Sequence, residues 1–224
     1  AILTCTNQQT TLNAGASSQG NQFTYDWTGT GIVMGQNTLQ LTVNQPGVFS
    51  LVVTDKQNGC TDVATTNVVQ NIVKPTALAG PDLLLNCFQP TGVVGDPNNS
   101  TGNNFSISWT TAGGNFNTQT DSTVAGIDKA GVYQISITNN QNGCTATDNV
   151  TVTEDLMNPA ANAGPGTELN CIQTSYTLQG SGSTGSIYKY LWTTIGGNIM
   201  SGSTTLTPMV NGAGIYHLLV SNTQ

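Results

Sequence analysis

Residues 131–145 read Gly131-Val132-Tyr133-Gln134-Ile135-Ser136-Ile137-Thr138, then Asn139-Asn140-Gln141-Asn142-Gly143-Cys144-Thr145. In the first half Tyr133, Ile135 and Ile137 alternate with polar side chains. That period of two places them on one face of a strand. Asn142-Gly143 is a hairpin signal, because tight turns demand positive φ. A closing strand is expected from Cys144 to Val152. A strand, a turn and a returning strand within two dozen residues point to an all-β chain.

The same text recurs on both sides. Asn58-Gly59-Cys60-Thr61 matches Asn142-Gly143-Cys144-Thr145, 84 residues earlier. Gly47, Gly131 and Gly214 each stand two residues before an aromatic: Phe49, Tyr133 and Tyr216. Cys5, Cys87 and Cys171 are 82 and 84 residues apart, and Trp27, Trp109 and Trp192 follow them by 22, 22 and 21. Pro75 and Pro159 each precede the next leading cysteine by twelve residues. Landmarks kept in register this way define a tandem repeat. The repeats fall at 1–71, 72–155 and 156–224. The first is expected to lack its Pro-x-Ala-x-Ala-Gly lead-in, and the third its second cysteine, so the parent polypeptide is expected to continue both ways.

Within one repeat, strands are expected at Leu83–Cys87, from Gly92, at Phe105–Trp109, at Gly131–Thr138 and at Cys144–Val152, with a turn at Gly113-Gly114-Asn115. About seven short strands around one interior tryptophan suit a two-sheet sandwich of immunoglobulin type. Trp27, Trp109, Trp192, Phe49, Tyr133 and Tyr216 are assigned to the cores, since each lies at the same place on an alternating stripe.

Charge narrows the function. Four basic and eleven acidic residues give a formal charge of −7, and charged residues are 7% of the chain. A groove for nucleic acid needs clustered Lys and Arg, which this composition does not offer. No apolar run is long enough for a spanning helix, so no membrane insertion is expected in this segment. With a single His217, no arginine and cysteines committed to disulfides, Ser-His and Cys-His triads are nearly excluded. The one adjacent carboxylate pair, Glu154-Asp155, is not repeated at Gln70-Asn71, so the chain is read as not an enzyme.

Five cysteines with no Cys-x-x-Cys imply disulfides rather than zinc. The repeat suggests Cys5–Cys60 and Cys87–Cys144 within repeats, one bond per repeat, with Cys171 awaiting a partner. Each would close 55 to 57 residues and contribute roughly 4 kcal/mol by loop-closure entropy. They would tie the first strand of a sandwich to its last, near one end. Disulfides place the chain in an oxidising compartment, outside the cell.

As a set, Leu-x-Cys, Tyr-x-Trp-Thr, Gly-x-Tyr-x-Ile-x-Ile-Thr-Asn, Asn-Gly-Cys-Thr and Pro-x-Ala-x-Ala-Gly resemble repeats of very large Bacteroidota cell-surface adhesins. These include gliding-motility proteins and other type IX secretion substrates, whose modules are PKD-like and related immunoglobulin-like domains. Trp109-Thr110-Thr111 stands where PKD domains carry Trp-Asp-Phe-Gly-Asp-Gly. The resemblance implies extracellular fibres or stalks at the cell surface. It also makes Asp121-Ser122-Thr123 similar to a short O-glycan acceptor at Ser122.

The expected function is therefore a disulfide-stapled spacer or filament segment of a surface fibre, stalk or adhesin. Its partners would be further copies or neighbouring repeats of the same chain, and its cell-surface or glycan ligand is unspecified. The alternative is a carbohydrate- or protein-binding extracellular module, which needs an exposed aromatic platform. No cofactor is expected, although Glu154, Asp155 and Glu168 at the second junction and Asp82 at the first could hold Ca2+. At the junctions, Ile72, Val73 and Pro75, and Leu156, Met157 and Pro159, are expected to pack between adjacent sandwiches and stiffen a rod.

Overall fold

A computed structural model describes residues 1–223 and contains only strands, turns and loops among them. The first repeat carries β1 (Ile2–Thr4), β2 (Thr10–Asn13), β3 (Phe23–Thr28), β4 (Ile32–Met34), β5 (Gln40–Val43), β6 (Gly47–Asp55) and β7 (Thr61–Asn71). They form two sheets, β1-β7-β6-β3 and β2-β5-β4. The second carries β8 (Leu83–Asn86), β9 (Gly92–Gly95), β10 (Phe105–Ala112), β11 (Asn115–Phe116), β12 (Val124–Lys129), β13 (Gly131–Asn139) and β14 (Thr145–Asp155). Its sheets are β10-β13-β14-β8 and β11-β12-β9. Seven strands split four and three, with neighbours drawn from distant parts of the sequence, make each repeat an immunoglobulin-like sandwich.

The alternation that marks the strands also builds the cores. Tyr133, Ile135 and Ile137 are fully buried, and they pack with Trp109, Leu85, Val94, Ile127, Val150 and Val152. Trp27, Phe49, Leu41, Val43 and Leu51 fill the equivalent space in repeat one. Each tryptophan keeps its one polar atom satisfied, as a buried indole must. Nε1 donates to the carbonyl of Thr38, Ser122 or Thr205, at 2.9 Å in all three repeats. Tyr133 Oη donates to the Lys129 carbonyl four residues upstream at 2.5 Å and accepts from Asn115 N–H at 2.9 Å. Tyr216 repeats this with Gly212 and Asn198, at 2.6 and 3.1 Å, although it is only half-buried.

The third repeat has β15 (Ala161–Asn162), β16 (Tyr176–Thr177), β17 (Ser181–Gly182), β18 (Tyr188–Ile195), β19 (Ile199–Ser201), β20 (Met209–Val210) and β21 (Ile215–Asn222). Here β18 pairs with β21 alone, in place of the four-stranded sheet of the other repeats. Its buried cluster is Leu178, Trp192 and Val210, against eleven residues in repeat two. Glu168–Asn170, the counterpart of β8, finds no last strand among the described residues and is not a strand itself.

By contact density the chain forms two compact units. One holds Ala1–Leu85 with Gln89–Glu154; the other holds Asn86–Phe88 with the residues from Asp155 onward.

Two details depart from the sequence reading. Between the expected turn at Gly113-Gly114-Asn115 and the strand from Gly131, where no strand is expected, the chain forms β11 and the six-residue β12. β12 buries Ala125 and Ile127, but its apolar run is too short to show a period. In the hairpin only Gly143 takes positive φ, at 68°, while Asn142 does not. Asn142 has another task, described below.

The Tyr133 hydroxyl should hold the β11–β12 side of the core. Tyr133→Phe is expected to cost about 2 kcal/mol, or roughly 30-fold faster hydrogen exchange at β13 amides. Exchange at the wild-type rate would show that the two hydroxyl bonds hold nothing.

Candidate functional site: the cross-linked junction of repeats one and two

The expected pairing within repeats is overturned by the direction of one strand. β1 lies beside β7, as a tie between first and last strands requires, but the two run parallel: Ile2 faces Val69, Leu3 faces Gln70 and Thr4 faces Asn71. Cys5 therefore emerges beyond the end of β7, whereas Cys60 stands before its start. Eleven residues of strand separate those ends, about 36 Å at roughly 3.3 Å per residue. A disulfide needs Cα atoms within about 7 Å. Cys87 is remote from Cys144 for the same reason. Asp82 accepts from Thr151 N–H and the Leu83 carbonyl from the Thr153 hydroxyl, so β8 lies against the far end of β14.

Cys5 instead bonds Cys144, in the hairpin of the following repeat, with Cα atoms 5.0 Å apart at a sequence separation of 139. Cys60, Cys87 and Cys171 are exposed thiols in this chain. The staple thus joins two sandwiches rather than closing one.

The hairpin is shaped for this contact. Gly143 N–H donates to the Asn139 carbonyl and Asn139 N–H to the Cys144 carbonyl, which closes the turn. A side chain at Gly143 would run into Thr6, whereas one at Gly59 in the matching hairpin would meet open space. Asn142 is 1% exposed. Its Nδ2 donates to Asn71 Oδ1 and to the Val73 carbonyl, both at 2.9 Å, and its Oδ1 accepts from Cys144 N–H at 2.9 Å. Its carbonyl accepts from Cys5 N–H at 3.1 Å. The Oδ1 bond lies within the hairpin, as Asn58 Oδ1 likewise accepts from Cys60 N–H, whereas both Nδ2 donors find their partners outside the hairpin, at the junction.

The junction is consequently polar and covalent where apolar packing was expected. Ile72 and Val73 are 48% and 74% exposed, and Leu156 and Met157 are 52% and 81% exposed. Pro75 is buried and Pro159 half-buried. At the first junction the buried amide and the disulfide occupy the contact, and Ile72 and Val73 remain in solvent.

The other candidate residues are dispersed. Glu154 accepts from Ala130 N–H, Asp82 from Thr151 N–H and Asp155 from Met157 N–H. Glu168 is exposed. Among the described residues no three of His, Cys, Asp and Glu are gathered as a metal site would need. Ser122 is exposed, and its carbonyl is the acceptor for Trp109. His217 faces solvent on β21. In the third repeat a cleft of about 470 Å3 is lined by residues 163–169 together with the buried Leu178, Trp192 and Val210 and the half-buried Tyr216. No described helix is long and apolar enough to cross a membrane.

No family model matches the chain. Over 251 aligned residues it is 31% identical to the mouse "Dyslexia-associated protein KIAA0319 homolog". The match takes in 95% of this chain but 23% of that protein, so the chain spans less than a quarter of the relative's length. Among solved structures, an I-band fragment of titin is similar with a TM-score of 0.40 and 12% identity, over 99% of this chain and 89% of that one. The protocadherin GammaB4 extracellular domain also scores 0.40, with 10% identity over 89% and 45% of the two chains. The three N-terminal domains of the bacteriophage RB49 outer capsid protein Hoc score 0.35, with 13% identity over 86% and 77%.

Two measurements check the junction. An unreduced digest should contain a Cys5 peptide joined to a Cys144 peptide. Asn142→Ala should make that bond roughly 30-fold easier to reduce with glutathione, as expected for about 2 kcal/mol of lost docking. Unchanged reducibility would remove Asn142 from the account.

Proposed function

We propose that this chain is a load-bearing spacer segment of an extracellular, cell-surface fibre or stalk, and that it is not an enzyme. One observation carries the reading: the Cys5–Cys144 bond and the saturated Asn142 fix one repeat against the next. A binding module on a flexible tether has no need of a covalently closed junction. Disulfides persist outside the cytosol, which places the segment in an oxidising compartment. Low charge leaves little repulsion to oppose end-to-end or side-by-side association with like chains. The repeat motifs, similar to those of large Bacteroidota surface adhesins, agree with a stalk whose adhesive part lies elsewhere.

The alternative, a carbohydrate- or protein-binding module, needs an exposed aromatic platform; in repeats one and two Trp27, Trp109, Phe49 and Tyr133 are buried, and Phe88, 72% exposed, stands next to Cys87 in sequence. In the third repeat's cleft Trp192 is 2% exposed, and Tyr216 is half-buried with its hydroxyl bonded to Asn198 and Gly212.

Pulling the chain by its two ends tests the stalk. Until the Cys5–Cys144 bond is reduced, the chain between the two cysteines, a sequence separation of 139, is shielded from tension. The reduced chain should extend about 490 Å further than the oxidised one, at about 3.5 Å per residue. Equal final lengths would mean that the bond carries no load, and would favour independent modules.

A further inference from the structure

The three leading cysteines are presented alike. In repeat one Thr4 Oγ1 accepts from Asn7 N–H and Thr4 N–H donates to the Asn7 carbonyl. In repeat two Asn86 Oδ1 accepts from Phe88 N–H; in repeat three Asn170 Oδ1 accepts from Ile172 and Gln173 N–H. Each cysteine therefore rides a short turn stiffened by the residue before it, and Cys87 and Cys171 are directed to solvent rather than into their own core. The residue that follows each cysteine gives a second, independent sign. Thr6 lies where it would meet any side chain at Gly143 of the docked hairpin. At the same position Phe88 is 72% exposed and Ile172 is 98% exposed, large apolar groups placed beside exposed thiols.

The surroundings of Cys87 match those of Cys5. Cys5 meets the hairpin that follows β13, whose last residue, Asn139, lies six residues after Tyr133. Cys87 and Phe88 belong to the compact unit that contains the third repeat. There they line a cleft of about 180 Å3 with Val220, Ser221 and Asn222, the end of β21. Asn222 lies six residues after Tyr216 and is the counterpart of Asn139.

We infer that the leading cysteine of each repeat is the covalent docking site for the Asn-Gly-Cys hairpin of the repeat after it. Cys87 then takes a hairpin cysteine of repeat three at the place that Cys60 and Cys144 hold in theirs. Cys171 takes one from a fourth repeat, and Cys60 bonds the leading cysteine of a repeat placed before the first. The rule stands on the junction geometry and holds whether or not the array serves as a stalk. The chemistry is thiol–disulfide exchange with a small disulfide such as oxidised glutathione. The Cys87 thiolate attacks one glutathione sulfur and expels the other as a thiolate. The hairpin thiolate then attacks Cys87 Sγ and expels the second. One S–S bond forms and one is lost, and the two electrons and two protons leave on two molecules of reduced glutathione.

The test extends the full chain by the sequence of residues 140–155, joined after Asn222 in place of the last two residues, which sets a hairpin cysteine eleven residues after Tyr216. In a glutathione buffer, alkylation and unreduced peptide mapping should find Cys87 joined to the grafted cysteine. Cys5–Cys144 should be kept, with Cys60 and Cys171 alkylated. Cys87 should pass from full alkylation in the parent chain to full protection. A graft bonded to Cys171, its own repeat's leading cysteine, or a Cys87 as reactive as before, overturns the rule. Cys144→Ser in the unextended chain decides independently of whether the graft folds. Cys5 and Cys60 should then both be alkylated, and a Cys5–Cys60 bond in that variant refutes the inference.

Discussion

The parallel pairing of the first strand with the last governs the rest of this structure. Three residue pairs, from Ile2 with Val69 to Thr4 with Asn71, send the chain past the end of the closing strand instead of back toward its hairpin. Had β1 run the other way, Cys5 and Cys60 would emerge at the same end of the sandwich and each repeat would close upon itself. Run parallel, repeats one and two each carry a leading cysteine at one end and a hairpin cysteine at the other. A bond can then be made only with another sandwich. The direction of a three-residue strand decides whether the sequence yields sealed beads or links.

What holds the first junction is unusual for a chain so poor in charge. An apolar contact between sandwiches would tolerate sliding, because hydrophobic burial is non-directional. Asn142 is not tolerant in this way. Removing its partners would leave two donors buried and unpaired, a penalty of roughly 1–3 kcal/mol, so register and orientation are set together. The disulfide adds a second constraint of a different kind. A loop of 139 residues loses roughly 5 kcal/mol of unfolded-state entropy, somewhat more than the shorter loop of a bond within one repeat. Side-chain geometry selects the arrangement and the covalent bond keeps it.

The sequence disclosed the repeat, the strand-rich sandwiches and the buried aromatics, because these depend on local periods. Tyr133, Ile135 and Ile137 declare their face within five residues, and the spacing of the tryptophans is independent of any tertiary detail. Pairing direction is not local. Nothing in Leu83-Leu84-Leu85-Asn86 says whether it lies parallel or antiparallel to Thr145–Asp155, and the cysteine partners depend on that alone. β12 was illegible for a related reason. Ala125-Gly126-Ile127 is too short to show alternation, and it is a strand because β9 lies ready to pair with it. Asn142 looked like turn chemistry and is turn chemistry in part, since its Oδ1 caps Cys144. Its two donors act across the junction, which only the docked pair reveals. The identical Asn58-Gly59-Cys60-Thr61 has open space at Gly59, so the docking role of Asn142 could not be read from its motif.

Closing each junction as the first is closed would also determine where tension runs. Load entering at Cys5 would cross to Cys144 and so bypass both sandwich cores. It would then follow the chain through β14 and the proline lead-in to Cys171, 27 residues on, and cross again there if Cys171 were bonded in the same way. A second path would run from Cys60 through β7 to Cys87. The structural elements on these paths are the closing strands, each eleven residues long. A β-strand already rises about 3.3 Å per residue, close to the limit of an extended chain. Such a strand cannot lengthen appreciably before its covalent bonds are strained. The two closing strands would act as interleaved straps that are taut from the start, while Trp27, Trp109 and their cores serve to hold the straps in place rather than to resist the pull themselves.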